Sequence, residues 1–324
     1  MKFKENELIG YAAPLSESEN QKCLNAISMV RDALKKLGFT DDGKSIGKMY
    51  KDTYAYTLDM RSKNGNGKIR LFIQGSYANN TNVRTQSDVD IAVVQEDIFK
   101  TEYRPSTSSY PQADSDYGFD VVPAKEKTFK DEVQECLMQK FGKDVERKNK
   151  SIKIHGNTYR KDADSVPCCR YRDYRGDYQK DINNYIPGVV ITPDHGSRII
   201  NYPEQHIANG RKKNIDTNSY YKKMVRIIKK MRYLMCDCGY EEADKVSSFG
   251  LESLLWNLPD DLFMKYSQYR FKFGEIVEYL YKHKDEFSSY KEVNGIKNLC
   301  PTKMEIENYE KFVDRLYQFY EYDI

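Results

Sequence analysis

The chain has no long apolar run. No stretch approaches the ~20 apolar residues that a bilayer-spanning helix needs, and the opening MKFKENELIG carries no secretory hydrophobic segment. A cytoplasmic protein with no membrane partner is therefore expected. An excess of one charge is also missing. Lys and Arg number 52 against 49 Asp and Glu, leaving a formal net charge of +3, so the surface as a whole is not built for a polyanion. That disfavours a stable nucleic-acid partner and leaves room only for a local basic cleft. Histidine is scarce, and His155, His195, His206 and His283 do not cluster with Cys168-Cys169 or Cys236-x-Cys238. Neither cysteine pair has the Cys-x-x-Cys spacing of common zinc sites. The cysteine count is seven, an odd number without a secretion signal, which points to reduced thiols rather than a disulfide framework.

The 324 residues leave room for about two domains with a substantial core. Ser16-x-x-Glu19 reads as a capping box, and Leu24, Ile27, Val30, Leu34 and Leu37 recur at helical spacing until Gly38, which predicts a long amphipathic spine helix. Thr128 starts a second helix with Phe129, Val133, Leu137 and Phe141 on one face, stopped by Gly142. Between these helices, Thr101 to Gly118 reads as a polar, tyrosine-containing loop. Gly156-Asn157 and Pro193-Asp194-His195-Gly196 each join two strand-like runs as hairpins. Asn209 to Asn214 reads as a basic turn leading into an all-helical C-terminal part. There, Tyr220 to Cys236 carries Met224, Ile228, Met231 and Met235 on one stripe and Lys222, Arg226 and Lys229 on another.

The rest is organised around LFIQGSYANNTNVRTQSDVDIAVVQ, residues 71 to 95. Lys68 to Gln74 and Val89 to Gln95 read as strands. Gly75 between them lets backbone approach a ligand without a Cβ, and a helix starting near Ser76 would aim unpaired N–H groups and a hydroxyl at an anion. Alone, Gly-Ser is an ordinary turn. Asp88 and Asp90, two apart on a strand, project from the same face. At ~5 Å and an effective dielectric near 20 they repel by roughly 3 kcal/mol, so the pair shares a proton, faces water or holds a cation. The buried continuation Ile91-Ala92-Val93-Val94 and the upstream Gly-Ser favour Mg²⁺ over a solvated strand end.

Gly75-Ser76 followed by Asp88-Val89-Asp90 resembles the signature of polymerase-β-type nucleotidyltransferases. The stretch QGSYANNTNVRTQSDVDIAVV is most similar to the bacterial cGAS/DncV-like enzymes, which make cyclic oligonucleotide signals. DADSVPC (from Asp162), INYPEQHIANGRKKN (from Ile200), MVRIIKK (from Met224) and SSFGLE (from Ser247) extend the resemblance, in order, over most of the chain. It implies an α+β architecture: a mixed-sheet palm with the spine helix in residues 1–214, facing a helical domain in residues 215–324. It implies a metal-dependent nucleotidyltransferase that releases pyrophosphate and joins nucleoside triphosphates into a cyclic di- or trinucleotide, the signal for a separate cyclic-nucleotide-responsive effector in antiphage (CBASS-type) defence. A transferase acting on RNA or a protein acceptor remains the alternative. The implied cofactor is a pair of Mg²⁺ ions, with Mn²⁺ as a substitute, on Asp88, Asp90 and a third carboxylate. Gly75, Ser76, Lys229 and Ser248 would bind nucleotide. Two acids compete for the third place, Asp120 in DVVPA and Asp164 in DSVPC. The family puts this acid on the strand beside the Asp-x-Asp strand and after an intervening helix, which selects Asp164.

Overall fold

The computed structural model describes residues 3–65, 67–83, 88–123 and 125–321. Asn66, the Arg84 to Ser87 part of the glycine-to-aspartate stretch, and Ala124 of the Asp120 motif lie outside the described residues. Helices run in chain order α1 Glu5–Ala12, α2 Glu17–Leu34, α3 Gly75–Ala78, α4 Phe129–Phe141, α5 Pro203–Asp216, α6 Tyr221–Asp237, α7 Glu241–Asp244, α8 Ser248–Trp256, α9 Tyr269–Lys282 and α10 Lys303–Glu321. The strands are β1 Phe39–Thr40, β2 Gly47–Lys48, β3 Tyr56–Ser62, β4 Lys68–Gln74, β5 Val89–Glu102, β6 Val145–Arg147, β7 Ile152–Ile154, β8 Ala163–Asp173, β9 Ile186–Ile191 and β10 Ile199–Asn201.

This α+β chain divides into two compact units. A sheet unit comprises Glu17–Gly75 and Asp88–Glu204, and a helical unit comprises Met1–Ser16, Ser76–Ser87 and Gln205–Ile324. Residue 214, the boundary expected from sequence, lies inside α5. The basic turn expected over Asn209 to Asn214 is instead part of that helix. Turn propensity loses here to tertiary context: Gly210 is buried with His206 and Ile207 on one face, beside Val293 and Asn79.

In the sheet unit the strand order is β1-β3-β4-β5-β8-β7-β6, with β2 on β3, β9 on β8 and β10 on β9. β5 and β8 are parallel, and α4 makes the crossover between them. Both helices end where their signals stand. Gly38 closes the 3-10 turn after α2 with φ +86°, and the Thr128 hydroxyl accepts from the Asp131 N–H to cap α4. α2 and α4 pack on each other and on β8. β5 runs further than the expected Val89 to Gln95, through Glu102, by pairing Phe99 to Glu102 with Arg170 to Asp173 past a register shift. The loop beyond it supplies aromatic rings to the fold: Tyr103 stacks on Tyr117 and Tyr174.

The helical unit buries the stripe Met224, Ile228, Met231 and Met235 of α6 against α8, α9 and α10. Leu8 and Ala12 from α1 complete this core, from a helix that sequence reasoning did not foresee. No helix among the described residues is long and apolar enough to cross a membrane.

Candidate active site

Strand geometry sets the acids. Asp88 stands one residue ahead of β5, and Asp90 is its second residue. Alternation turns Asp90 to the face on which Ala92 and Val94 pack with Phe72, Val166 and Cys168. Asp90 is opposite Asp164 across the parallel β5–β8 pair and opposite Gln74 across the antiparallel β4–β5 pair. Asp164 thus lies on the strand adjoining that of Asp90, with α4 between them in sequence. Asp120 is exposed and outside any strand.

The crowding has an electrostatic cost. Burial pushes the Asp90 carboxyl up to about 7, and Asp164 and then Asp88 add repulsion. Asp164 is also raised, by burial first. Its hydrogen bond from the Ser151 hydroxyl, 3.0 Å to Oδ1, pulls the other way, and the Asp88 charge raises it again. Lys153 on β7, opposite Asp164, places its ammonium 2.9 Å from Asp88 Oδ2 and 3.5 Å from Asp162 Oδ2.

Three carboxylates with one lysine beside them form a hard-oxygen donor set that suits Mg²⁺, and burial first, with mutual repulsion second, raises the Asp90 carboxyl in a way that a cation would offset. Among the described residues no three such side chains already converge on one point. Asp88 is turned to Lys153 and Asp164 to Ser151.

Gly75 has φ +70°, and a Cβ built on it would overlap the Asp90 Oδ2 and lie 3.2 Å from Cγ. Glycine is therefore required by the carboxylate as much as by any ligand. The helix expected near Ser76 is a single turn, α3, too short for a developed macrodipole. What remains there are N–H groups and the half-buried Ser76 hydroxyl.

In the helical unit, Ser247 caps α8 by accepting from the Gly250 N–H at 2.9 Å. The Ser248 hydroxyl, half-buried in the first turn, lies 3.4 Å from the Tyr233 hydroxyl. The basic stripe of α6 is neither solvated nor open. Lys222, Arg226 and Lys229 are all buried. Arg226 donates to the carbonyls of Ala12 and Asn80, and the Lys229 ammonium lies 2.9 Å from Glu252 Oε2 and 3.2 Å from Thr81 Oγ1. A buried ammonium needs a counter-charge, and Glu252 supplies it from α8. Direct contact of Lys229 with a phosphate requires this side chain to leave Glu252.

Lys153, Ser151, Thr81, His206 and Glu252 come into view only in the folded chain. Lys153 had a usable signal, a lone charge between Ile152 and Ile154 on a strand of the hairpin that carries Asp164. The pairing of Glu252 with Lys229 and Thr81 had none, being set across 23 and 171 residues.

The arrangement can be set beside known proteins. Residues 208–321 match the cGAS/DncV-like nucleotidyltransferase C-terminal helical domain, and residues 57–154 match the nucleotidyltransferase domain. The chain is 44% identical to a cyclic GMP-AMP synthase of Staphylococcus schleiferi over 99% of its own length and 98% of that protein. It is 36% identical to a cyclic dipyrimidine nucleotide synthase of Cecembia lonarensis over 92% of its own length and 90% of that protein. Among solved structures, the cyclic dinucleotide synthase of Elizabethkingia meningoseptica with GTP and Apcpp matches with a TM-score of 0.72 and 29% identity, covering 99% of this chain and all of that one. With both halves matched in order and relatives spanning nearly its whole length, the chain belongs to the cGAS/DncV-like nucleotidyltransferases.

Proposed function

We propose that this protein joins nucleoside triphosphates, with release of pyrophosphate, into a cyclic di- or trinucleotide that signals to a separate cyclic-nucleotide-responsive effector in antiphage defence. The observation that carries the reading is the acid floor: Asp90 in register with Asp164, Asp88 beside them, and Gly75 pressed on Asp90. The relatives' products support cyclisation. They differ in base, a GMP-AMP synthase and a dipyrimidine synthase among them, so base choice does not transfer with the fold.

Asp88, Asp90 and Asp164 would hold two Mg²⁺ ions, or Mn²⁺ in their place, which supply Lewis-acid activation of a hydroxyl and neutralise the triphosphate when bound. Asp164, as the ligand on the strand beside Asp90, would stand next to the acceptor ribose hydroxyl and favour its deprotonation. The hydroxyl oxygen attacks the α-phosphorus as the bond to pyrophosphate breaks. Gly75 gives the donor phosphates room at the backbone, and the Ser76 and Ser248 hydroxyls orient them. Lys229 would meet the donor triphosphate by leaving Glu252, the partner that holds its ammonium in this structure.

The test is incubation of the purified protein with labelled nucleoside triphosphates and Mg²⁺ or Mn²⁺, followed by phosphatase. A small labelled product that resists phosphatase has no terminal phosphate and is the expected cyclic nucleotide. Label carried onto RNA or protein would replace this reading with the transferase alternative.

A further inference from the structure

The helical unit contains a closed polar cluster whose place in the fold is more specific than stability alone requires. Thr81 is 0% exposed, Glu252 1% and Lys229 2%, and His206 is buried with them. The Thr81 hydroxyl donates to Glu252 Oε2 at 2.6 Å and accepts from the Lys229 ammonium at 3.2 Å. Lys229 in turn reaches the same Oε2 at 2.9 Å. His206 Nε2 takes the other carboxylate oxygen at 2.9 Å. The Tyr221 hydroxyl holds the Glu252 carbonyl at 3.0 Å. Burial alone would raise the Glu252 carboxyl. Lys229 first and His206 second outweigh it and hold this group well below the usual carboxylate range.

One member of the cluster belongs to neither α6 nor α8. Thr81 follows α3, and its backbone N–H donates to the Ser76 carbonyl at 2.9 Å. The hydroxyl that closes the ring is therefore carried by the same short segment that carries Ser76. Replacing charged residues by apolar ones at such a place is often neutral or stabilising for a fold. A buried network of this kind instead pins one geometry.

We propose that Thr81 and Glu252, with His206 and Lys229 behind them, are positioning residues that hold the Ser76 turn in the orientation that receives the donor triphosphate. The role rests on the reading of Ser76 as a donor-phosphate group. Thr81 and Glu252 touch no substrate in it. They act by keeping the Ser76 hydroxyl and its neighbouring N–H groups in place before the nucleotide arrives.

The test uses the full chain with Thr81→Val, which removes the hydroxyl at nearly constant shape and leaves Lys229 paired with Glu252. Thr81→Ser, which restores the hydroxyl, and Glu252→Gln accompany it. The readouts are KM and kcat for nucleoside triphosphate, the affinity for a non-hydrolysable triphosphate analogue by calorimetry, and thermal unfolding. Thr81→Val is expected to weaken analogue binding and raise KM by about fivefold, the scale of one buried hydrogen bond. Its kcat stays within about twofold of wild type, and Thr81→Ser recovers the loss. Wild-type KM and affinity in Thr81→Val would overturn the proposal, as would a lower melting temperature with unchanged KM. If Glu252→Gln fails to fold, Thr81→Val still decides. Failure of the underlying reading looks different: the wild-type protein itself would then bind and turn over no triphosphate, or Ser76→Ala would leave its KM untouched.

Discussion

At the scale of the residue, Asp90 shows how a site can be built against stability. Its carboxyl titrates at about 7 in the fold and at the ordinary ~3.9 in the unfolded chain. Between those values the folded state binds more protons, so without metal this group makes the protein less stable as pH rises from about 4 to about 7. Asp90→Asn cannot ionise. We expect it to flatten that part of the stability profile, to match or exceed wild-type stability at about pH 8 without metal, and to be inactive. Thermal unfolding in chelator across this range, with turnover measured in parallel, checks all three. The neighbouring question is which third acid matters. Asp164→Asn is expected to abolish product while retaining nucleotide binding with metal, and Asp120→Asn to remain active. The opposite result would move the acid to Asp120.

At the scale of the element, the β4-to-α3 junction couples backbone shape to acid position. Gly75→Ala adds a Cβ where φ is +70° and where the Asp90 carboxylate already sits. The left-handed backbone alone costs about 1–2 kcal/mol, and the overlap displaces Asp90 as well. Turnover should therefore fall by more than the loss of folded protein explains, which kinetics on thermally characterised samples will show. Ser76→Ala at the next position should be milder, because the N–H groups persist. Several other elements were legible from short-range signals. The Thr128 cap, the glycines at 38 and 142, and the methionine stripe of α6 act within a turn or two of themselves. α5 was not legible, because its Gly210 reads as a turn until His206 and Ile207 find a core to pack against.

At the scale of the molecule, the helical unit depends on α1. Leu8 is fully buried in its core, and both Glu5 carboxylate oxygens accept from the first N–H groups of α9, Tyr269 at 2.8 Å and Arg270 at 2.9 Å. We expect Leu8→Ala to destabilise the protein by about 2–5 kcal/mol, read as a lower denaturant midpoint. Were the midpoint unchanged, α1 would be an appendage rather than part of the unit.

Residues near one another in the chain already state the chemistry on offer: a glycine-serine turn, two carboxylates on one face of a strand, a spine helix with its stop, and motifs in the order of a known family. These are readable because strand alternation, helix periodicity and caps are properties of residues a few positions apart. The company those groups keep comes from the fold. It put Asp164 opposite Asp90, gave Asp88 the ammonium of Lys153, took the basic stripe of α6 out of solvent and closed Thr81, Lys229 and Glu252 into one network. Burial raises or lowers a charge according to partners brought from far along the chain, and no local pattern states which partners those will be.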